Sequence, residues 1–157
     1  AARLHANRGV AGIDGCLSTA VGDARMHPDH EVVLITGDSA LLYDLNGLMV
    51  KPMPVNLKVI VINNGGGNIF HWLNGPKEVG MLESHFEVPF LKDAASSAAL
   101  VGLAYFRAND AAELENVFDA WSNNKAPALL EIQTPGATSS RCFQELQEAL
   151  GKEMQTG

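Results

Sequence analysis

Cysteine is nearly missing from these 157 residues: only Cys16 and Cys142 occur. Two thiols so far apart, with no metal-ligand spacing around them, argue against a disulfide framework or a zinc cluster. They predict free cysteines in a reducing compartment, the cytoplasm. Basic residues are also short, with 11 Lys and Arg against 18 Asp and Glu and a net charge of −7. No basic stripe emerges, so nucleic acid and anionic membranes are not expected partners. No apolar run approaches the length that spans a bilayer. The opening residues Ala1-Ala2-Arg3-Leu4-His5 lack the apolar core of a signal peptide. They lack an initiator Met as well, which predicts a piece of a longer protein. A hydrophobic content of 46% is enough for a packed core, and the length suits one domain, residues 1–157, and no more.

What the chain does have is centred on residues 37–70. Two unbroken apolar runs, Val32-Val33-Leu34-Ile35 and Val59-Ile60-Val61-Ile62, read as parallel strands covered on both faces. The first runs into Gly37-Asp38-Ser39, the second into Asn63-Asn64-Gly65-Gly66-Gly67-Asn68. Two such strands would deliver Asp38 and Asn64 to one edge of a sheet, outside the carboxyl ends, where open α/β sheets bind ligands. A carboxylate, a carboxamide and a backbone carbonyl from the glycine run make a hard oxygen site. Mg²⁺ takes such ligands and completes its octahedron with phosphate oxygens and water. The amides of Gly65, Gly66 and Gly67 can face an anion. Either half alone is more often a plain turn. The pair, one crossover apart, points to a metal-bridged diphosphate.

The remaining chain alternates strands and helices, which implies an α/β fold, a three-layer sandwich around a mostly parallel sheet. A small-residue helix begins at Cys16, and its small side chains suit close approach to another backbone. Residues 39–50 carry a helical apolar face, ended by Pro52 and Pro54. In that face Asp44 and Asn46 read as structural or solvated, not as ligands. Residues 72–89 form an irregular stretch of the length usual for a lid or a mobile segment. Residues 90–102 read as a helix and residues 103–106 as a short strand. Asp110-Ala111-Ala112-Glu113 has the pattern of a capping box, followed by the stripe Leu114, Val117, Phe118 and Trp121. Ala128-Leu129-Leu130-Glu131-Ile132 is a strand, and Phe143, Leu146 and Leu150 mark an amphipathic tail helix.

Gly-Asp-x, a helix, a strand and then Asn-Asn resemble the diphosphate motif of the thiamine diphosphate-dependent enzymes. The segment Asn7-Arg8-Gly9-Val10-Ala11-Gly12-Ile13-Asp14-Gly15 narrows the likeness. With Tyr43-Asp44-Leu45-Asn46-Gly47-Leu48, it is similar to the menaquinone-pathway branch, the synthases of 2-succinyl-5-enolpyruvyl-6-hydroxy-3-cyclohexene-1-carboxylate. The resemblance covers nearly the whole chain, tightly to Leu73 and loosely beyond. One departure is Ser39-Ala40, where the family usually has an apolar residue and then Ser or Thr.

The resemblance implies a pyrophosphate-binding domain. Asp38 and Asn64 would bind Mg²⁺ or Mn²⁺ through side chains, and Gly66 through its carbonyl. Gly37 and Ser39 would meet the diphosphate. Ile13 would wedge the thiamine diphosphate into a folded shape, and the Ala11 carbonyl would accept from its aminopyrimidine. Arg8 would bind a substrate carboxylate with its planar fork. Ile69, Phe70 and Leu73 would line the pocket over the thiazolium, with plain core packing a close second reading for Ile69 and Phe70. The implied reaction joins 2-oxoglutarate to isochorismate with loss of carbon dioxide, in a homo-oligomer. It needs a glutamate from a pyrimidine-binding domain, so no catalytic residue is assigned here and the chain alone is expected to be inactive. Two other readings are an acetolactate synthase or 2-oxoacid decarboxylase, and a non-catalytic phosphate-binding module.

Overall fold

A computed structural model describes residues 3–7, 9, 12–71, 73, 75, 78, 80–81, 84–85 and 93–155, without the side chains of 137 and 153–155. The described elements are α1 (Cys16–Met26), β1 (Val32–Gly37), α2 (Asp38–Tyr43), β2 (Leu57–Asn63), α3 (Ala95–Val101), β3 (Ala104–Ala108), α4 (Ala111–Ser122), β4 (Ala128–Gln133) and α5 (Gly136–Gln155). Short 3₁₀ turns span Leu45–Leu48 and Asn68–His71. The four strands form one parallel sheet in the order β1-β2-β4-β3. This is the α/β architecture expected from the sequence.

Two cores flank the sheet, because each strand sends alternate residues to opposite faces. On one side Leu57, Val59, Val61 and Leu129 pack with Leu17, Val21, Leu41 and Ala98 of the α1, α2 and α3 layer. On the other, Ala128 and Leu130 pack with Trp121, Leu114 and Val117 of α4. Helical layers therefore lie on both faces. Coverage is uneven, however, and corrects one expectation. β2 is buried along most of its length, whereas β1 is an edge strand that leaves Val33 45% and Ile35 68% exposed. Its apolar run is covered on one face only.

The helix expected over residues 39–50 breaks at Tyr43. Asp44 leaves helical geometry and turns its carboxylate onto α1, where Oδ2 accepts the Ser18 amide at 2.6 Å and Oδ1 the Ser18 hydroxyl at 2.7 Å. A Cβ on Gly47 would stand 2.9 Å from the Ser18 nitrogen, so only glycine lets these backbones meet. The close approach expected of the small-residue helix is realised at this contact. α3 is shorter than expected, starting at Ala95, while residues 90–92 lie outside the described residues. Asp110 caps α4 by accepting the Glu113 amide at 2.8 Å. The returning Glu113 carboxylate reaches Asn109 instead of the cap residue itself. α5 is the amphipathic tail helix, but Leu146 and Leu150 of its apolar stripe are exposed.

One buried cation braces the far end of β2. Lys58 donates to the carbonyls of Asn124 (2.5 Å) and Ala126 (3.1 Å), tying the α4–β4 connection to the sheet. Burial, partly opposed by Glu31, holds its ammonium below the ordinary lysine range. No helix among the described residues is long and apolar enough to cross a membrane.

Candidate functional site

β1 and β2 are neighbours with Gly37 in register with Ile62, so Asp38 and Asn64 leave adjacent strands at the same edge of the sheet. Asp38 opens α2 and is 5% exposed. Its Oδ1 accepts the Ser39 amide at 2.7 Å, with the Ser39 hydroxyl at 3.4 Å. Among the described residues no cation pairs with it and no hydrogen bond falls on Oδ2. That oxygen suits a divalent cation, which takes carboxylate oxygens.

Asn64 begins a turn that only glycine tolerates. Gly65, Gly66 and Gly67 have φ of 90°, 85° and 63°, three left-handed residues in succession. Two carboxamides hold this turn from within. Asn63 Oδ1 accepts the Gly65 amide at 3.1 Å, and Asn64 Oδ1 accepts the Gly66 amide at 3.2 Å. Gly66 is buried. Behind the turn, Asn68 Oδ1 accepts the Ser140 hydroxyl at 2.7 Å, while the buried Asn68 Nδ2 has no partner among the described residues. A Cβ on Gly136 would stand 2.9 Å from the Asn64 carbonyl, so α5 abuts the loop at its first residue. One buried carboxylate, one carboxamide and loop carbonyls have the chemistry of a hard-cation site. Among the described residues there is no cluster of three His, Cys, Asp or Glu of the kind a protein-only metal cage needs.

Of the residues proposed for the rest of a cofactor, Ile13, Ile69 and Leu73 are 44%, 55% and 46% exposed, and Phe70 is half-buried. Arg8 and Ala11 lie outside the described residues, as do most of residues 72–89. The glycine-rich segment is tied to α1 where Asn7 Nδ2 donates to the Gly15 carbonyl and Thr19 hydroxyl, both at 3.2 Å. α1 is held in turn to the residue that follows α2 through the Ser18–Asp44 bonds.

Sequence reading passed over the groups beneath the loop. Glu131 of β4 is fully buried. Its Oε1 accepts from Asn63 Nδ2 and Gln133 Nε2, both at 2.6 Å. Its Oε2 accepts from the Ala94 amide at 2.9 Å and the Tyr105 hydroxyl at 2.5 Å. Burial, and then the hydrogen bond and charge of Glu131, hold the Tyr105 phenol well above the usual tyrosine range, so it stays a donor. The one available signal was a carboxylate within the otherwise apolar run Ala128-Leu129-Leu130-Glu131-Ile132.

Residues 2–132 match the family described as thiamine pyrophosphate enzyme, C-terminal TPP binding domain. Curated relatives include the 2-succinyl-5-enolpyruvyl-6-hydroxy-3-cyclohexene-1-carboxylate synthases of Flavobacterium johnsoniae, Christiangramia forsetii and Salinibacter ruber. The first is 43% identical over 84% of this chain and 24% of its own length. The second is 40% identical over 85% and 23%, and the third 36% identical over 97% and 25%. The chain thus spans about a quarter of the length of the curated relatives it matches.

Proposed function

The chain belongs to the thiamine pyrophosphate enzyme family, as its C-terminal TPP-binding domain, and from that membership we propose that it holds the diphosphate end of thiamine diphosphate in a menaquinone-pathway synthase. The enzyme would decarboxylate 2-oxoglutarate and add the resulting succinyl unit to isochorismate. The observation that carries this reading is the meeting of Asp38 and the three-glycine turn after Asn64 at one sheet edge, in a chain similar to named synthases of that product.

In this proposal Asp38 and Asn64 hold Mg²⁺ or Mn²⁺ through side-chain oxygens and Gly66 through its carbonyl. Gly37 and Ser39 border the diphosphate. Ile13 and Ile69 present exposed apolar surface to the rings, and the Ala11 carbonyl accepts from the aminopyrimidine. Arg8 takes a substrate carboxylate, with Ile69, Phe70 and Leu73 around the reacting carbon. Bound thiamine diphosphate supplies the nucleophilic carbon and the electron sink for decarboxylation. The protein's share is binding, orientation and exclusion of water. A glutamate from a pyrimidine-binding domain, in the same or a partner subunit of a homo-oligomer, completes the site, so this chain alone does not turn over. Its free thiols suit the cytoplasm.

The test is to supply the full-length protein with thiamine diphosphate, Mg²⁺, 2-oxoglutarate and isochorismate. Carbon dioxide release dependent on both substrates is expected, with the coupled product identified by mass. Decarboxylation of pyruvate with no use of isochorismate would replace this reading by an acetolactate synthase or decarboxylase. Equal affinity for ATP, NAD and thiamine diphosphate would replace it by a non-catalytic phosphate-binding module.

A further inference from the structure

We propose that Glu131 is the positioning residue of the diphosphate loop. It locks the Asn63 carboxamide, and through it the Gly65 amide, in the orientation that lets residues 64–67 receive a metal-bound diphosphate. The inference rests on the function proposed above and adds to it a residue more than sixty positions from the loop in sequence.

Glu131 sits fully buried between Leu130 and Ile132, and Arg107, its register partner on β3, is exposed and donates its Nε to Asn109. Stability alone does not ask for a carboxylate there, since well-packed apolar side chains commonly do as well as buried charge. What the carboxylate provides is directional. All four of its partners are donors, drawn from β2, β3, the residue before α3 and β4 itself. They hold both oxygens fixed in a low-dielectric setting, where such networks are strong.

Asn63 then has one allowed orientation. Its Nδ2 must face Glu131 Oε1, because a flipped amide would set oxygen against oxygen. Its Oδ1 must therefore face away from Glu131, and it accepts the Gly65 amide. Gly65 is the first of the three left-handed glycines, and Asn64 is the adjoining residue. The chain of bonds thus runs from the sheet interior to the start of the loop. The Asn63 main chain is fixed as well, its carbonyl accepting the Thr134 amide at 2.8 Å. With backbone and side chain both held, the turn is set before any ligand arrives, and such preorganisation raises affinity.

The experiment measures thiamine diphosphate binding to the full-length protein by calorimetry in Mg²⁺, and Mn²⁺ uptake by electron paramagnetic resonance. Glu131→Gln puts a donor where an acceptor stood. Affinity for thiamine diphosphate should fall about tenfold or more, with the circular dichroism spectrum retained. Asn63→Ala should cause a similar loss, and the double variant no more than the larger single loss, since both act through one chain of bonds. Lys58→Met, a buried polar change at the opposite end of β2, should lower the melting temperature and leave affinity at the parent value. If Glu131→Gln does not fold, Glu131→Asp, which withdraws the carboxylate by one methylene, is read by the same criteria. A folded Glu131 variant that binds like the parent, or losses that simply add, would overturn this inference alone. A parent protein that takes up neither the metal nor thiamine diphosphate would overturn the proposed function and this inference with it.

Discussion

Asp44 grips Ser18 twice, through the backbone amide at 2.6 Å and the hydroxyl at 2.7 Å. The pair joins the first turns of α1, which follow the glycine-rich segment, to the residue after α2, which begins at Asp38. Two stretches of the candidate site, twenty-six residues apart at this contact, are thus held together by one carboxylate.

Asp44→Ala should destabilise the fold by about 1–3 kcal/mol, because the Ser18 donors lose a partly buried, charge-assisted acceptor. Gly47→Ala should cost a similar amount by pushing α1 off its neighbour, about 1–3 kcal/mol. Urea unfolding of each variant checks both figures. A midpoint equal to the parent's for Asp44→Ala would show that the contact carries no stability.

Asp38→Ala should abolish Mg²⁺-dependent binding of thiamine diphosphate, since the metal offsets diphosphate charge and the variant lacks its carboxylate. The apo protein should remain folded, because the buried carboxylate has no cation partner among the described residues to lose. Calorimetry with and without EDTA reads the first effect and thermal melting the second. Full cofactor affinity in the folded variant would remove Asp38 as a ligand.

Arg8→Ala should weaken substrate use and leave cofactor affinity nearly unchanged. Losing a charge-assisted contact to a carboxylate costs on the order of 1.5–3 kcal/mol, or roughly 10- to 150-fold in kcat/KM. Steady-state kinetics for both substrates measure it. Constants matching the parent's for 2-oxoglutarate and isochorismate alike would dismiss the assignment.

Tyr105 gives a prediction in pH. Its folded phenol titrates above the ordinary value of about 10. Below that pH both states keep the proton and stability is insensitive to this group. As pH rises past about 10, the unfolded chain releases a proton that the folded chain retains, so this contribution declines. Tyr105→Phe should be less stable than the parent at neutral pH, and the gap should narrow as pH climbs beyond about 10. Lys58 acts in the opposite direction, its lowered value favouring the fold as pH rises towards the ordinary lysine range. It is present in both proteins and cancels in the difference. Unfolding midpoints taken in parallel from pH 8 upward check the trend. A gap that stays constant would contradict it.

The two strand ends and the glycine turn were legible because their signals are local. A β-branched run ending in Gly-Asp, and another ending in Asn-Asn-Gly-Gly-Gly, announce strand ends by composition alone. A run of three glycines can hold three left-handed residues that other side chains resist. Burial was less legible: Val33 and Ile35 look like core residues, but only strand order makes β1 an edge. The break at Asp44 was hidden for a similar reason. Helical periodicity continues through it, and its cause is Ser18, far off in sequence.

Sequence by itself determined the fold class and the two strand ends, because each is written in contiguous residues whose backbone preferences are intrinsic. Tertiary structure decided how the loop is held. Glu131 is one carboxylate in an apolar strand until β2, β3 and β4 lie side by side, and Asn63 is a turn residue until its amide meets that carboxylate. Hydrogen bonds of this kind depend on distances between strands distant in sequence, and only the packed sheet sets those distances.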